Sequence, residues 1–112
     1  MTQEMNKELV STLYDCVAAC DHCAAACLNE ADVAMLVKCI KLDMDCADIC
    51  RMTASSISRG SELGESLLRE FAETCTVCAE ECEKHAQHGM EHCRICAEAC
   101  RRCAEACMQI AA

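Results

Sequence analysis

The sequence lacks proline and tryptophan, and its 112 residues include one tyrosine, one phenylalanine and three glycines. Without proline, no helix is kinked or ended by a residue that cannot donate a backbone hydrogen bond. We therefore expect chain breaks only near Gly60, Gly64 and Gly89 and at the polar stretch 29–32. No segment alternates polar and apolar residues as a half-buried strand does. These absences predict a few long helices and argue against strands.

Large apolar residues and basic residues are also scarce. Leu, Ile, Val and Phe total 19 residues, which is too few for a conventional core, and no window is apolar enough to span a membrane. The chain has 10 basic and 19 acidic residues, for a formal net charge of −9. That balance argues against nucleic acid as a partner, because phosphate binding needs clustered cations. The length allows one small domain, residues 1–112, whose interior cysteine must help to fill.

Cysteine is the abundant residue, with 15 in the chain. Such a density is typical of disulfide scaffolds, but the count is odd and residues 1–20 carry neither a basic leader nor an apolar export segment. We therefore expect a cytoplasmic protein whose thiols stay reduced. Dense free thiols in that compartment favour metal binding over disulfides.

The spacing of the cysteines predicts the fold. We predict helices over residues 3–28, 31–58, 61–87 and 89–110, with Asp32 and Ser61 as candidate N-caps. Cysteines recur at intervals of three and four residues, which places them on one face of each helix. Short connections make neighbouring helices antiparallel, so the fold class is all-α, an up-down-up-down four-helix bundle with a cysteine-lined core. The residues expected to face solvent include Glu80, Glu81, Glu83, Lys84, Arg101 and Arg102.

This topology gives the bundle two different ends. One end, which we name the plug, is predicted to be dry and apolar, and it collects Leu9, Leu13, Ile57, Leu67, Leu68, Phe71 and Ile110. The other end, which we name the mouth, carries thiol, thioether and imidazole groups from Cys27, Met35, Cys39, Cys82, His85, His88, Met90, His92 and Cys93. An intersubunit face is a further expectation for Tyr14, Leu28, Val33, Val37 and Ile40.

Repeated Cys-x-x-x-Cys pairs indicate which metal the core suits. Residues four apart on a helix have Cβ atoms about 5 to 6 Å apart, so one turn can offer two thiolates to one ion. Cu(I) accepts two soft thiolates, whereas Zn(II) requires four ligands from more than one turn or helix. Bridging thiolates would give a capacity of about 7 to 15 Cu(I) ions. The candidate metal ligands are Cys16, Cys20, Cys23, Cys27, Cys39, Cys46, Cys50, Cys75, Cys78, Cys82, Cys93, Cys96, Cys100, Cys103 and Cys107, with His85, Met90 and His92.

The sequence pattern is compatible with several alternatives. The cysteines could build tetrahedral zinc sites for zinc buffering or structure, or Cys75 and Cys78 could form a redox pair. His85 is either a mouth ligand or a hydrogen-bonded residue at a helix end, and Met90 is either a thioether ligand or a core filler. Asp43 occupies a cysteine slot of the second helix. It could bind metal, bond to a neighbour, or reflect a rotated helix that turns Leu42 and Ile49 inward.

The pattern as a whole resembles the bacterial copper storage proteins, over essentially the full chain. The resemblance rests on the inward Cys-x-x-x-Cys pairs, on the Cys-x-x-Cys steps that join them, such as Cys20 with Cys23 and Cys93 with Cys96, and on the His/Met end. It implies a non-enzymatic four-helix bundle that stores many Cu(I) ions, assembles as a homotetramer and loads through the His/Met end. Because it lacks an export segment, the sequence resembles the cytosolic branch of that family. Asp43 departs from the family pattern, since it leaves the second helix one thiol short.

Overall fold

The computed structural model describes residues 1–111. Over this range the chain forms five α-helices and one 3-10 helix. They are α1 (Gln3–Leu28), the 3-10 helix (Val33–Leu36), α2 (Val37–Ser58), α3 (Glu62–Ser66), α4 (Leu68–Ala86) and α5 (Glu91–Ala111). The four long helices α1, α2, α4 and α5 form an all-α bundle of 45 × 19 × 19 Å, which confirms the predicted fold class.

The helices pack in a closed ring around the bundle axis. α1 packs against α2 and α5, and α4 packs against the same two helices. The connections between consecutive long helices are short, so each helix runs antiparallel to the next. Every long helix therefore has two neighbours and turns one face toward the axis.

The predicted boundaries hold for the first helix and fail for the start of the second. α1 spans Gln3–Leu28, as predicted, whereas residues 33–36 form a 3-10 helix and α2 begins only at Val37. Asp32 precedes the 3-10 helix without making a side-chain cap bond. Because a 3-10 helix has three residues per turn, the inward position shifts by one residue. Leu36 is fully buried, whereas Met35, a predicted group of the mouth, is 50% exposed.

The predicted third helix is divided into α3 and α4 by Leu67. Gly64 lies against α2 so closely that an added Cβ would come within 2.8 Å of Ser56 Cβ. This contact fixes the first turn against α2, and glycine is itself a poor helix former, so the helix does not continue straight. Ser61 precedes α3 as predicted, but its side chain makes no cap bond.

Cysteine and alanine fill the interior, as the scarcity of large apolar residues required. The fully buried alanines Ala47, Ala54 and Ala79 allow close approach of the helices between the thiol positions. At the plug, five of the seven predicted residues are buried, and Leu67 and Ile110 are half-buried against them. Among the helices of residues 1–111, none combines the length and the hydropathy that a membrane crossing would need.

Candidate metal centre

All fifteen cysteines are free thiols, and each is at most 1% exposed. The three- and four-residue spacing therefore places every sulfur in the interior, on the stripe where the sequence predicted it. Such a core has neutral, small, weakly polar groups when the thiols are protonated, and it has soft anionic ligands when they are not.

The sulfurs within one helix lie at distances suited to a shared metal ion. Sγ atoms are 4.0 Å apart in Cys16 and Cys20, 3.9 Å in Cys23 and Cys27, and 4.0 Å in Cys46 and Cys50. A linear S–metal–S unit with bonds of about 2.3 Å needs sulfurs about 4.6 Å apart, which a small rotamer change supplies. The i, i+4 pairs can thus hold two-coordinate Cu(I) with little rearrangement.

Sulfurs from different helices are equally close. The Sγ–Sγ distance is 3.6 Å between Cys20 and Cys100, which joins α1 to α5. It is 3.7 Å between Cys39 and Cys82 and 3.8 Å between Cys50 and Cys75, which both join α2 to α4. A thiolate in this core therefore has partners on its own helix and on neighbouring helices, so it can bridge two ions.

These contacts arrange the donor atoms in overlapping groups of four. In each group all four ligand atoms lie within 4.8 Å of one another, and every residue is buried. From the mouth toward the plug, five of these groups are Cys23, Cys27, Cys39, Cys93; Cys23, Cys39, Asp43, Cys82; Cys20, Cys78, Cys96, Cys100; Cys16, Cys20, Cys46, Cys100; and Cys16, Cys46, Cys50, Cys75. Shared members connect the first of these groups to the second, the third to the fourth, and the fourth to the fifth.

Asp43 lies inside this sulfur core, where it is fully buried. Its Oδ1 accepts hydrogen bonds from the thiols of Cys78 at 3.3 Å, Cys82 at 3.4 Å and Cys96 at 3.3 Å. The interpretation in which α2 rotates Leu42 and Ile49 inward is wrong, because both of those residues are only half-buried. Asp43 instead connects the sulfurs on the mouth side with those deeper in the bundle.

The surroundings of Asp43 keep its carboxyl group neutral. Burial, followed by the proximity of Cys96 and Cys78, raises the pKa of Asp43 to about 10. A protonated carboxyl keeps one oxygen as a pure acceptor, which suits three thiol donors on Oδ1. The group can therefore occupy the core without an unpaired buried charge.

At the mouth, His85 follows the cysteine stripe of α4 one turn after Cys82, and it is 7% exposed. Its Nε2 lies 3.1 Å from Oε2 of Glu81. Glu81 is itself only 6% exposed, so the prediction that it faces solvent was wrong. Burial alone would raise the pKa of Glu81, but hydrogen bonds from Lys84 and His85 outweigh it and lower that pKa. The charge of Lys84 and the hydrogen bond with His85 explain why this carboxylate can leave solvent.

The other predicted groups of the mouth are less deeply placed. The side chain of His92 is 13% exposed, and its Nε2 lies 3.9 Å from Glu30 Oε1 without a hydrogen-bond partner. Met90 is half-buried against the core, whereas His88 is exposed. Leu36 of the 3-10 helix is fully buried, and nothing in the periodicity of the predicted second helix singled it out. Of the predicted histidines and methionines of the mouth, His85 is thus buried, Met90 and His92 are half-buried, and His88 is exposed.

The donor set fits copper better than zinc. Tetrahedral zinc sites need four ligands each, so fifteen thiols complete only three unshared sites, and the groups found here share members. Shared thiolates suit monovalent Cu(I), because a thiolate that bridges two ions allows up to about one Cu(I) per sulfur. The bound ions then compensate the buried negative charge of the thiolates. The arrangement is that of a multinuclear thiolate store.

Comparisons with known proteins agree with this chemistry. The sequence profile of the family described as Csp, copper storage protein, matches residues 2–112. In Bacillus subtilis (strain 168), an uncharacterized cysteine-rich protein, YhjQ, is 36% identical over 79 residues, which are 70% of this chain and 73% of that protein.

Solved structures of copper-loaded proteins have the same fold. A cytosolic copper storage protein from Streptomyces lividans with five coppers gives a TM-score of 0.91 at 43% identity, covering 96% of this chain and 92% of that one. The Streptomyces protein has also been solved loaded with 10 copper equivalents. Cu(I)-bound BsCsp3 gives a TM-score of 0.89 at 36% identity, covering 96% of this chain and 99% of that one. The chain therefore belongs to the copper storage protein family, and it is a storage protein, not an enzyme, that binds multiple Cu(I) ions through its buried cysteine thiolates.

Proposed function

We propose that the chain acts as one domain that takes up Cu(I) at the mouth and stores it along the bundle axis by ligand exchange. Cu(I) binds first at the mouth, passes to the outer thiolates, and then moves toward the plug through neighbouring thiolates. Each thiol gives up its proton when it binds the metal. The store would serve sequestration and detoxification of copper.

The overlapping groups of donors carry this proposal. Cys23 and Cys39 belong to both of the first two groups, and Cys20 and Cys100 belong to both the third and the fourth. The oxygen of Asp43 contacts Cys82 of the second group and Cys96 of the third. An ion can therefore exchange one ligand at a time without leaving coordination, which keeps the barrier to each step low.

The two ends of the bundle support uptake from the mouth. At the plug, Leu9, Leu13 and Ile57 are at most 3% exposed and offer no ligand to a copper ion. At the mouth, His85, Met90 and His92 bring imidazole and thioether groups beside the thiols, and these neutral soft ligands suit Cu(I). We assign these three residues, together with all fifteen cysteines, to the copper-binding set.

We also propose that the protein is cytosolic and forms a homotetramer. The Streptomyces relative is described as cytosolic, and a reducing compartment would keep fifteen thiols free. Tyr14, Leu28 and Val37 are 49%, 59% and 44% exposed, so they offer apolar surface to another subunit. Light scattering of the purified apo-protein tests the tetramer, and a monomer mass at micromolar concentration would contradict it.

Replacing outer and inner thiols in pairs tests the direction of uptake. The outer variant carries Cys82→Ala and Cys93→Ala, and the inner variant carries Cys16→Ala and Cys107→Ala. Both remove two buried sulfurs from fully buried positions, so they are matched in chemistry. We expect stopped-flow mixing with a Cu(I) complex to show slower uptake for the outer variant than for the inner one. Equal slowing of the two variants would contradict uptake through the mouth.

A further inference from the structure

Glu81 is a carboxylate in an unusual place. Of its helical neighbours, Glu80 is exposed and Glu83 is half-buried. The side chain of Glu81, by contrast, is 8% exposed and lies between α4 and α2. Burying a carboxylate costs several kcal/mol unless charged partners compensate it. The burial of Glu81 therefore depends on the groups that surround its carboxylate.

Three side chains surround the carboxylate, two lysines at Oε1 and one histidine at Oε2. Oε1 accepts a hydrogen bond from Lys84 Nζ at 3.1 Å and lies 3.8 Å from Lys38 Nζ of α2. Oε2 lies 3.1 Å from Nε2 of His85. The two lysines are on the exposed side, with side chains 70% and 65% exposed for Lys38 and Lys84. They hold Oε1 from outside, which leaves Oε2 directed at the histidine.

This geometry specifies the tautomer of His85. An ionised carboxylate can only accept hydrogen bonds, so Nε2 of His85 must be the nitrogen that carries the proton. In a neutral imidazole the other nitrogen, Nδ1, then has a free lone pair. A metal can bind only such an unprotonated nitrogen, and a partner on the opposite ring nitrogen also fixes the orientation of the ring.

We infer that Glu81 is a positioning residue for copper uptake, which holds the ring of His85 at the mouth with Nδ1 free to bind Cu(I). This inference rests on the proposed uptake through the mouth and adds to it a residue that does not touch the metal. Loss of a residue that orients a metal-binding histidine costs about 10- to 100-fold in metal affinity or activity. Glu81 affects the rate at which copper enters, whereas the buried thiols set the capacity of the core.

The variants Glu81→Ala and Glu81→Gln test the inference, with Glu80→Ala as a matched control on the exposed side of the same helix. The first readout is the ¹⁵N NMR spectrum of His85 in the reduced, copper-free protein at pH 8. We expect the Nε2–H tautomer in the parent protein and in Glu80→Ala, and a mixture of tautomers in Glu81→Ala. The side-chain amide in Glu81→Gln also offers an oxygen acceptor to Nε2–H, so this variant should restore much of the Nε2–H form.

The second readout is the rate of the first phase of Cu(I) uptake. We expect Glu81→Ala to slow it about 10- to 100-fold with the final number of bound ions unchanged, and Glu81→Gln to recover part of the rate. Because Glu81 acts through His85, the double variant Glu81→Ala/His85→Ala should be no slower than His85→Ala alone. A purely structural role would change the free energy of unfolding without changing the tautomer.

The outcomes separate this inference from the proposed function. An unchanged His85 tautomer in Glu81→Ala, or a double variant that is slower than His85→Ala, would overturn the role of Glu81 alone. Equal slowing of the outer and inner cysteine variants would instead overturn the proposed uptake through the mouth, whatever the histidine spectrum shows. The near-isosteric Glu81→Gln variant keeps both readouts available if the alanine variant does not fold.

Discussion

Asp43 Oδ1 lies 3.3 Å from the sulfur of Cys96, where a carboxyl group of α2 accepts a hydrogen bond from a thiol of α5. Asp43 is fully buried among thiols, and the same oxygen accepts from Cys82 on the side of the mouth. The carboxyl group thus replaces a sulfur in the core, and it does so in its neutral form. This neutrality gives the apo-protein a pH dependence that can be measured.

The first prediction concerns the stability of the apo-protein. The pKa of Asp43 is about 10 in the folded state against about 3.9 in an unfolded chain, so the folded state binds more protons between these values. The free energy of unfolding therefore falls as pH rises through this window. The Asp43→Asn variant keeps the shape and an acceptor oxygen, so it should gain up to about 4 kcal/mol at pH 7, from 1.36 kcal/mol per pKa unit.

Urea unfolding of both proteins, reduced and metal-free, between pH 4 and pH 8 measures this difference. The two free energies should converge near pH 4, where an aspartate in the unfolded chain is also protonated. An exposed control, Asp48→Asn, should leave the pH dependence of the parent protein unchanged. A constant difference between Asp43→Asn and the parent across the window would contradict a neutral Asp43.

The second prediction concerns the protons released on loading. Burial raises the pKa of the Cys27 thiol to about 11, so this thiol is protonated at neutral pH. Each thiol that binds Cu(I) must lose its proton, so loading should release about one proton for every cysteine that becomes a ligand. Copper affinity should fall as pH falls, because protons compete with the metal. A pH-stat titration measures the protons, and loading without proton release would show that the thiols of the apo-protein are not protonated.

The third prediction separates capacity from stability within α5. Cys100 belongs to two of the four-donor groups, with its sulfur 3.6 Å from Cys20 and 3.8 Å from Cys16. Cys100→Ala should destabilise the apo-protein by only about 1 kcal/mol, comparable to a buried methylene, and should remove about two Cu(I) ions. Cys107→Ala, at the plug end of α5, should remove fewer ions. Metal analysis after gel filtration compares the two variants, and equal losses would contradict a role of shared sulfurs.

The fourth prediction concerns the contact between α3 and α2. A Cβ at position 64 would come 2.8 Å from Ser56 Cβ, so Gly64→Ala should destabilise the protein by about 1 to 3 kcal/mol. The change lies near the plug, so the number of bound Cu(I) ions should stay the same. Ser66→Ala, at an exposed position of α3, serves as the control and should change stability by less than about 0.5 kcal/mol. Equal stability of the Gly64→Ala and Ser66→Ala variants would contradict this prediction, because it would mean that α2 shifts at Ser56 without a measurable cost in stability.

The helices and the thiol stripes could be predicted because they depend on local periodicity. Cysteine spacings of three and four residues placed the sulfurs on inward faces, and α1 has the predicted bounds. The start of α2 was not predictable in this way. The 3-10 helix Val33–Leu36 places Leu36, rather than Met35, in the interior. No capping residue or glycine in the sequence marks this change of helix type.

The polar residues of the core depend on contacts between helices, and periodicity cannot supply these. Asp43 has the spacing of a core residue, but only its four thiol partners explain why a carboxyl group is tolerated there. Glu81 is a residue type typical of the surface, and its burial is tolerated because Lys84 and Lys38 of α2 compensate its charge while His85 bonds its second oxygen. Its spacing of four residues from His85 was a signal that could have indicated a bonded pair.

The sulfurs along the axis act together as one multinuclear Cu(I) store, and this is the central claim. Anaerobic titration of the fully reduced apo-protein with Cu(I), against a competing high-affinity chelator, tests it most directly when metal and thiols are counted together. We predict at least one ion for every two cysteines, which is about seven or more per chain, and displacement of zinc by Cu(I). Saturation at about two to four ions, with zinc bound as tightly or more tightly, would contradict the claim and indicate separate tetrahedral sites instead.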